Sequence, residues 1–166
     1  MNFSKKDEEY MDLALEEAQK AYEKGNLPIG AVLVVNGKVY KSQNSSVVNK
    51  DFVSHAESDL IRKHSHSIRN KYTRGENINI ELYTTLEPCL MCLGTALLNK
   101  VTRIVYSLED PIGGGTSVDK DSLKSLYVKW WPKIEGGLNR DKTAELMLKF
   151  IDETDNPFWK KWKKKI

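Results

Sequence analysis

A chain of 166 residues, 40% hydrophobic and 30% charged, has the make-up of an ordinary globular domain and is long enough to bury a core. No apolar run approaches the roughly 20 residues of a membrane-spanning helix, and the opening segment Met1 to Asp12 mixes acids with lysines and has no secretory signal pattern, so a cytoplasmic protein that does not enter membranes is expected. The net charge of +3 is local: Lys160, Lys161, Lys163, Lys164 and Lys165 crowd the tail and leave the body slightly acidic, unlike a protein that coats nucleic acid with a broad basic face.

In chain order, Ser4 with Asp7 three residues on predicts a capped helix whose apolar stripe is Met11, Leu15, Ala18 and Tyr22, stopped by Gly25. Gly30 to Val35 is a β-branched apolar run, Asn36-Gly37 a strong hairpin turn, and Lys38 to Lys41 the return strand. After a polar stretch around Asn44, the segment from His55 through Arg62 reads as a helix with Ser54 as its cap and Ala56 and Leu60 inward. Ile78 to Thr85 alternates as a strand, Pro88 stands at the start of a helix over Cys89 to Leu98, and Arg103 to Tyr106 is a further strand. Beyond Gly113 to Gly115 lies an irregular region around Leu123 to Trp131, then a helix over Arg140 to Ile151 and a short one after Pro157. No repeat or linker divides the chain, so one domain over 1–166 is expected, with a basic, aromatic helix at about 157–166. The alternation predicts an α/β protein, a three-layer α/β/α sandwich with a mixed central sheet.

Chemistry concentrates in His55-Ala56-Glu57 followed, thirty residues on, by Pro88-Cys89-Leu90-Met91-Cys92. One nitrogen and two sulfurs fit zinc, and three protein ligands leave the fourth tetrahedral position open, as catalytic sites require. Cys89 and Cys92, three apart at a helix start, share one face, and the positive end of the helix dipole favours thiolates there. Glu57 is near enough to His55 to move a proton at such a site without ligating the metal. Cys-x-x-Cys alone also fits a redox dithiol or a structural zinc site, but neither needs Glu57. His64 and His66, in a polar stretch, read as surface residues.

At these residues the sequence resembles the cytidine and deoxycytidylate deaminase superfamily, over most of its length; His-x-Glu followed by Pro-Cys-x-x-Cys is the mark of zinc deaminases acting on bases. Leu27-Pro28-Ile29-Gly30-Ala31-Val32 and Leu82-Tyr83-Thr84-Thr85-Leu86-Glu87-Pro88-Cys89 are similar to both the tRNA adenosine deaminases and the fungal cytosine deaminases. The resemblance implies one zinc per chain on His55, Cys89 and Cys92, with Glu57 catalytic, a substrate contact from Asn44, and a homodimer. The alternative for Asn44 is a loop-turn asparagine. Asp110 and Glu135-Gly136-Gly137 are similar to the tRNA enzymes, which usually carry Asp-Pro-Thr where this chain has Phe52-Val53-Ser54. Phe150-Ile151-Asp152-Glu153 looks like the end of fungal cytosine deaminase, whose C-terminal acidic residue is matched here by Lys161. Guanine deaminases use an aromatic C-terminal lid, which makes Phe158 and Trp159 candidate substrate contacts, and the likeness to the tRNA enzymes adds Asp110. The tail's aromatics either stack on exposed bases while its lysines meet phosphate, or pack on the domain with the lysines solvated. The expected activity is zinc-dependent hydrolytic deamination of a free nucleobase or nucleoside, with adenosine in tRNA as the alternative.

Overall fold

The computed structural model describes residues 2–166. Five strands, β1 (Gly30–Val35), β2 (Lys38–Gln43), β3 (Ile80–Leu86), β4 (Arg103–Leu108) and β5 (Lys133–Gly136), form one sheet in the order β2-β1-β3-β4-β5. β1 runs antiparallel to both β2 and β3, whereas β3, β4 and β5 are parallel, so the sheet is mixed as expected. On one face lie α1 (Lys5–Glu23) and α6 (Arg140–Asp152); on the other lie α3 (Ala56–Thr73) and α4 (Leu90–Leu98). Short helices α2 (Ser46–Asn49), α5 (Ser125–Lys129) and α7 (Pro157–Lys163) complete the chain.

The strong local signals fold as written. Ser4 and Asp7 form a reciprocal capping box, and Asn36 and Gly37 both adopt the positive φ that a tight hairpin demands. Along β1, Ala31, Leu33 and Val35 enter the larger core against α3 and α4, while Val32 and Val34 face α1.

Four readings need correction. The buried stripe of α1 is Met11, Ala14, Ala18 and Ala21, with Leu15 and Tyr22 only half-buried. The physical reason is close packing: α1 lies so near β1 that a side chain on Gly30 would collide with the Ala14 carbonyl, and only a strip of alanines permits that approach. α3 runs eleven residues past Arg62, because Ile68 re-enters the core on the helical period although its neighbours are polar. Ser54 does not cap α3; its hydroxyl donates to Asp51 Oδ2 at 2.6 Å, and His55 occupies the cap position. The irregular region hides α5 and the strand β5, which is held to its neighbour by Arg103, whose guanidinium joins Glu135 to the buried carboxylate of Asp7. Although burial opposes ionisation of Asp7, hydrogen bonds from Arg103 and Tyr83 hold it far below the usual carboxylate range.

Candidate active site

The carboxyl ends of the parallel strands β3 and β4 open on one side of the sheet, the place where α/β sheets build ligand sites. Antiparallel β1 begins there, its Gly30 N–H donating to Thr85 Oγ1 at 3.1 Å, and β2 ends there with Gln43 opposite Gly30. Thus Asn44, Glu87 and Asp110, each just past the end of its strand, converge although they are far apart in sequence.

His55 and Cys89 stand at the cap positions of α3 and α4 in extended backbone conformations, and neither side chain caps its own helix. Both are free to turn toward one another. Nδ1 of His55 lies 3.6 Å from the Cys89 sulfur and 3.5 Å from the Cys92 sulfur. Zinc bonded at the usual lengths to nitrogen and sulfur separates tetrahedral ligand atoms by about 3.6 Å, so the donor set fits that ion in spacing as well as in type. Among the described residues this is the one cluster of three such side chains, and His64 and His66 lie outside it. His64 is half-buried against Tyr40, with ring centroids 3.8 Å apart, and His66 is exposed.

Charge favours a cation at this point. The Cys89 thiol is lowered to about 4 by its hydrogen bond from Cys92 and, against burial, by His55. Cys92 is pushed up by the neighbouring Cys89 sulfur and by burial. Two sulfurs so placed repel one another as thiolates, and a divalent ion relieves that repulsion. The His55 imidazole is raised by its hydrogen bond to Cys89.

Glu57, in the first turn of α3, is 3% exposed, and burial pushes its carboxyl up. Its Oε2 has no hydrogen-bond partner. An orphaned carboxylate oxygen carries a desolvation cost that a ligand or substrate hydrogen bond would remove. Glu57 lines, with His55 and Cys89, a cavity of about 760 Å³ whose apolar walls include Leu27, Ile29, Val47 and Leu86.

Asn44 is fully buried and does not itself line this cavity, but it bonds two residues that do: its backbone N–H donates to the Ile29 carbonyl, and it holds Ser46. Its side-chain oxygen accepts the Ser46 N–H and hydroxyl at 3.1 and 2.9 Å, while its Nδ2 has no partner. Asn44 is therefore a turn asparagine through its oxygen and retains unused donors. Asp110 does reach the cavity, yet its Oδ1 accepts from Ile112 N–H, Gly113 N–H and Trp162 Nε1. Phe158 and Trp159 line the far wall.

Two residues matter to this geometry through contacts the sequence does not announce. Glu87 was visible inside the strand-to-cysteine motif, but its partners lie more than twenty residues away. Trp162, flanked by lysines, is fully buried.

Residues 4–108 match the family model described as the cytidine and deoxycytidylate deaminase zinc-binding region. The tRNA-specific adenosine deaminase of Bacillus subtilis (strain 168) is 32% identical over 148 residues, covering 89% of each chain. A chain solved in a study of A-to-I editing by tRNA:A34 deaminases at the wobble position of transfer RNA superposes with a TM-score of 0.67 at 33% identity, covering 83% of this chain and 98% of that one. Guanine deaminase from Nitrosomonas europaea, 18% identical, shares the fold with a TM-score of 0.68, covering 86% of this chain and 83% of that one.

Proposed function

This chain belongs to the cytidine and deoxycytidylate deaminase zinc-binding family, hydrolases that release ammonia from an amino-bearing base, and on that premise we propose that it deaminates adenosine in tRNA to inosine. The observation that carries the chemistry is the orphaned Oε2 of Glu57, buried in the same cavity as His55 and Cys89. Its relatives named as tRNA-specific adenosine deaminases, which align along most of the chain, support adenosine in tRNA over the free nucleobase or nucleoside that the sequence alone puts first.

His55, Cys89 and Cys92 would hold the zinc ion. When bound, zinc supplies Lewis acidity that makes water a competent nucleophile near neutral pH. Glu57 takes one proton from the attacking water and delivers it to the ring nitrogen beside the amino-bearing carbon. A bond from oxygen to that carbon forms, the bond to the amino nitrogen breaks, and Glu57 passes the second water proton to the departing amine. Ammonia leaves and a carbonyl remains. The unused Nδ2 donors of Asn44 orient the substrate, and the apolar walls keep bulk water from the base.

A second reading, a free purine base as substrate, is favoured by the aromatic wall of Phe158 and Trp159, which would close over a small ring. Ammonia release from a tRNA anticodon stem-loop, adenosine, adenine, guanine, cytidine and cytosine separates the two. Turnover of the stem-loop with none of the monomers supports the proposal, and turnover of a free base alone sinks it. In the same assay Asn44→Ala should lower kcat/KM by about tenfold through loss of one oriented hydrogen bond, with zinc content unchanged. An unaltered kcat/KM would leave Asn44 as a turn residue only.

The proposed partner is tRNA, met by the exposed side chains of Lys160, Lys161 and Lys163 beside the cavity wall. A homodimer is supported by apolar side chains left exposed where α3 and α4 meet, among them Val53, Leu90 and Leu98, and light scattering of the purified protein tests it. Free Cys89 and Cys92 suit a reducing cytoplasm, which cell fractionation checks.

A further inference from the structure

Although only seven residues long, α7 forms one wall of the cavity. Its polar contacts are almost all local: Asn156 accepts the Phe158 N–H, and Lys160 and Lys163 pair with Asp155 and Asp152. Exposed pairs of this kind do little to hold a helix in place. Among the described residues a single hydrogen bond ties α7 to anything beyond α6 and its linker, from Trp162 Nε1 to Asp110 Oδ1 at 2.8 Å. Trp162 is also the one fully buried residue of the helix. Its ring meets Trp159 edge-on at 6.1 Å, and Trp159 meets Phe158 at 4.9 Å, so the position of the indole is passed to both rings facing the cavity.

The acceptor is equally well fixed. Asp110 Oδ1 accepts two backbone N–H groups of its own loop at 2.9 Å, and the Asp110 N–H donates to Glu87 Oε2 at 3.1 Å. The other Glu87 oxygen accepts the N–H and hydroxyl of Thr116. The carboxylate lies so close to Gly114 that a side chain there would displace it. Glu87 directly precedes Pro88-Cys89, and the Gly115 N–H closes on the Pro88 carbonyl at 2.8 Å. An unbroken run of bonds thus leads from the cysteine loop through Glu87 and Asp110 to the C-terminal helix.

We infer that Trp162 is a positioning residue: through its bond to Asp110 it latches the C-terminal helix at a set distance from the metal-binding cluster, and thereby sets affinity for the base without taking part in proton transfer. The kinetic side of this inference rests on the deaminase reading above; the latch itself does not. Trp162→Phe keeps an aromatic ring in the core and removes the donor, at the cost of some buried ring volume. In the zinc-loaded protein it should raise KM by about tenfold, the size expected for losing a part-buried hydrogen bond to a carboxylate, while kcat and zinc content hold.

Asp110→Ala leaves the indole in place and breaks the same bond from the other side, so it carries the test should the phenylalanine variant fold poorly. If the latch is what both changes remove, the double variant has no higher KM than Asp110→Ala alone. Amide hydrogen exchange over residues 158–163 should quicken about tenfold in either single variant, with α4 unaffected; this readout needs no substrate and stands even if no tested base is turned over. Exchange in α7 equal to wild type, an unchanged KM, or KM increases that multiply in the double variant would each overturn the latch.

Discussion

Glu57→Gln is expected to bind zinc and fold like the wild type while losing more than about a hundredfold in turnover, the lower range of what positioned acid-base groups contribute. The amide matches the carboxylate in shape, so the tight burial at 3% exposure is preserved. What disappears is the ability to accept a proton from water and return it to the base. One carboxylate serves both transfers in the proposed mechanism, so its loss is not compensated by another group: among the residues lining the cavity, Asp51 and Glu87 have both oxygens engaged by loop hydrogen bonds, and Asp110 is held through Oδ1 by its own loop and by Trp162. Single-turnover rates with metal analysis on the same sample make the check. A variant that holds one zinc per chain and deaminates at near the wild-type rate would remove Glu57 from the mechanism.

The site was legible where chemistry is written in adjacent residues. Cys89 and Cys92, three apart, have the spacing of one helical face, and His55 with Glu57 two residues on mark the start of a second helix, so each pair is written locally. The loops that bring the two pairs together were legible only by resemblance, since the contact between His55 and Cys89 spans 34 positions. The partners of Glu87 and Trp162 lay outside that reading for a related reason. Their roles arise from partners 23 and 52 residues away, and neither residue type nor local period announces them.

The same distinction runs through the fold. The Ser4 capping box and the Asn36-Gly37 turn are specified by residues in contact along the chain, and both form. β5 is four residues with two charges, and it is a strand only because β4 offers an unpaired edge and Arg103 clamps Glu135. In α1, apolar size pointed to Leu15 and Tyr22, but the nearness of Gly30 selected Ala14 and Ala21 instead, a choice made by the sheet and not by the helix. Trp162 settles one of the two readings of the tail, since it packs into the domain while the lysines around it stay exposed.

Cys92→Ala should abolish zinc binding and, with it, at least about a thousandfold of activity, since Lewis acidity is lost together with the geometry that Glu57 serves. Cys92 is fully buried in the first turn of α4, so no exposed side chain can swing in to replace its sulfur. Only His55 and Cys89 would remain, and two ligands do not make a catalytic zinc site. Stability supplies an independent reading. A ligand that binds only the folded state at a hundred times its Kd adds about 2.7 kcal/mol, which for a chain of this length raises Tm by roughly 5–10 °C. Adding a chelator should therefore lower the Tm of the wild type by that amount and leave the Tm of Cys92→Ala where it was. The variant's own Tm should lie close to that of the chelated wild type, displaced by about 1 kcal/mol for the small void left by the sulfur. A wild type indifferent to chelator, or a variant that retains a full equivalent of zinc, would refute the assignment of His55, Cys89 and Cys92 as the metal ligands.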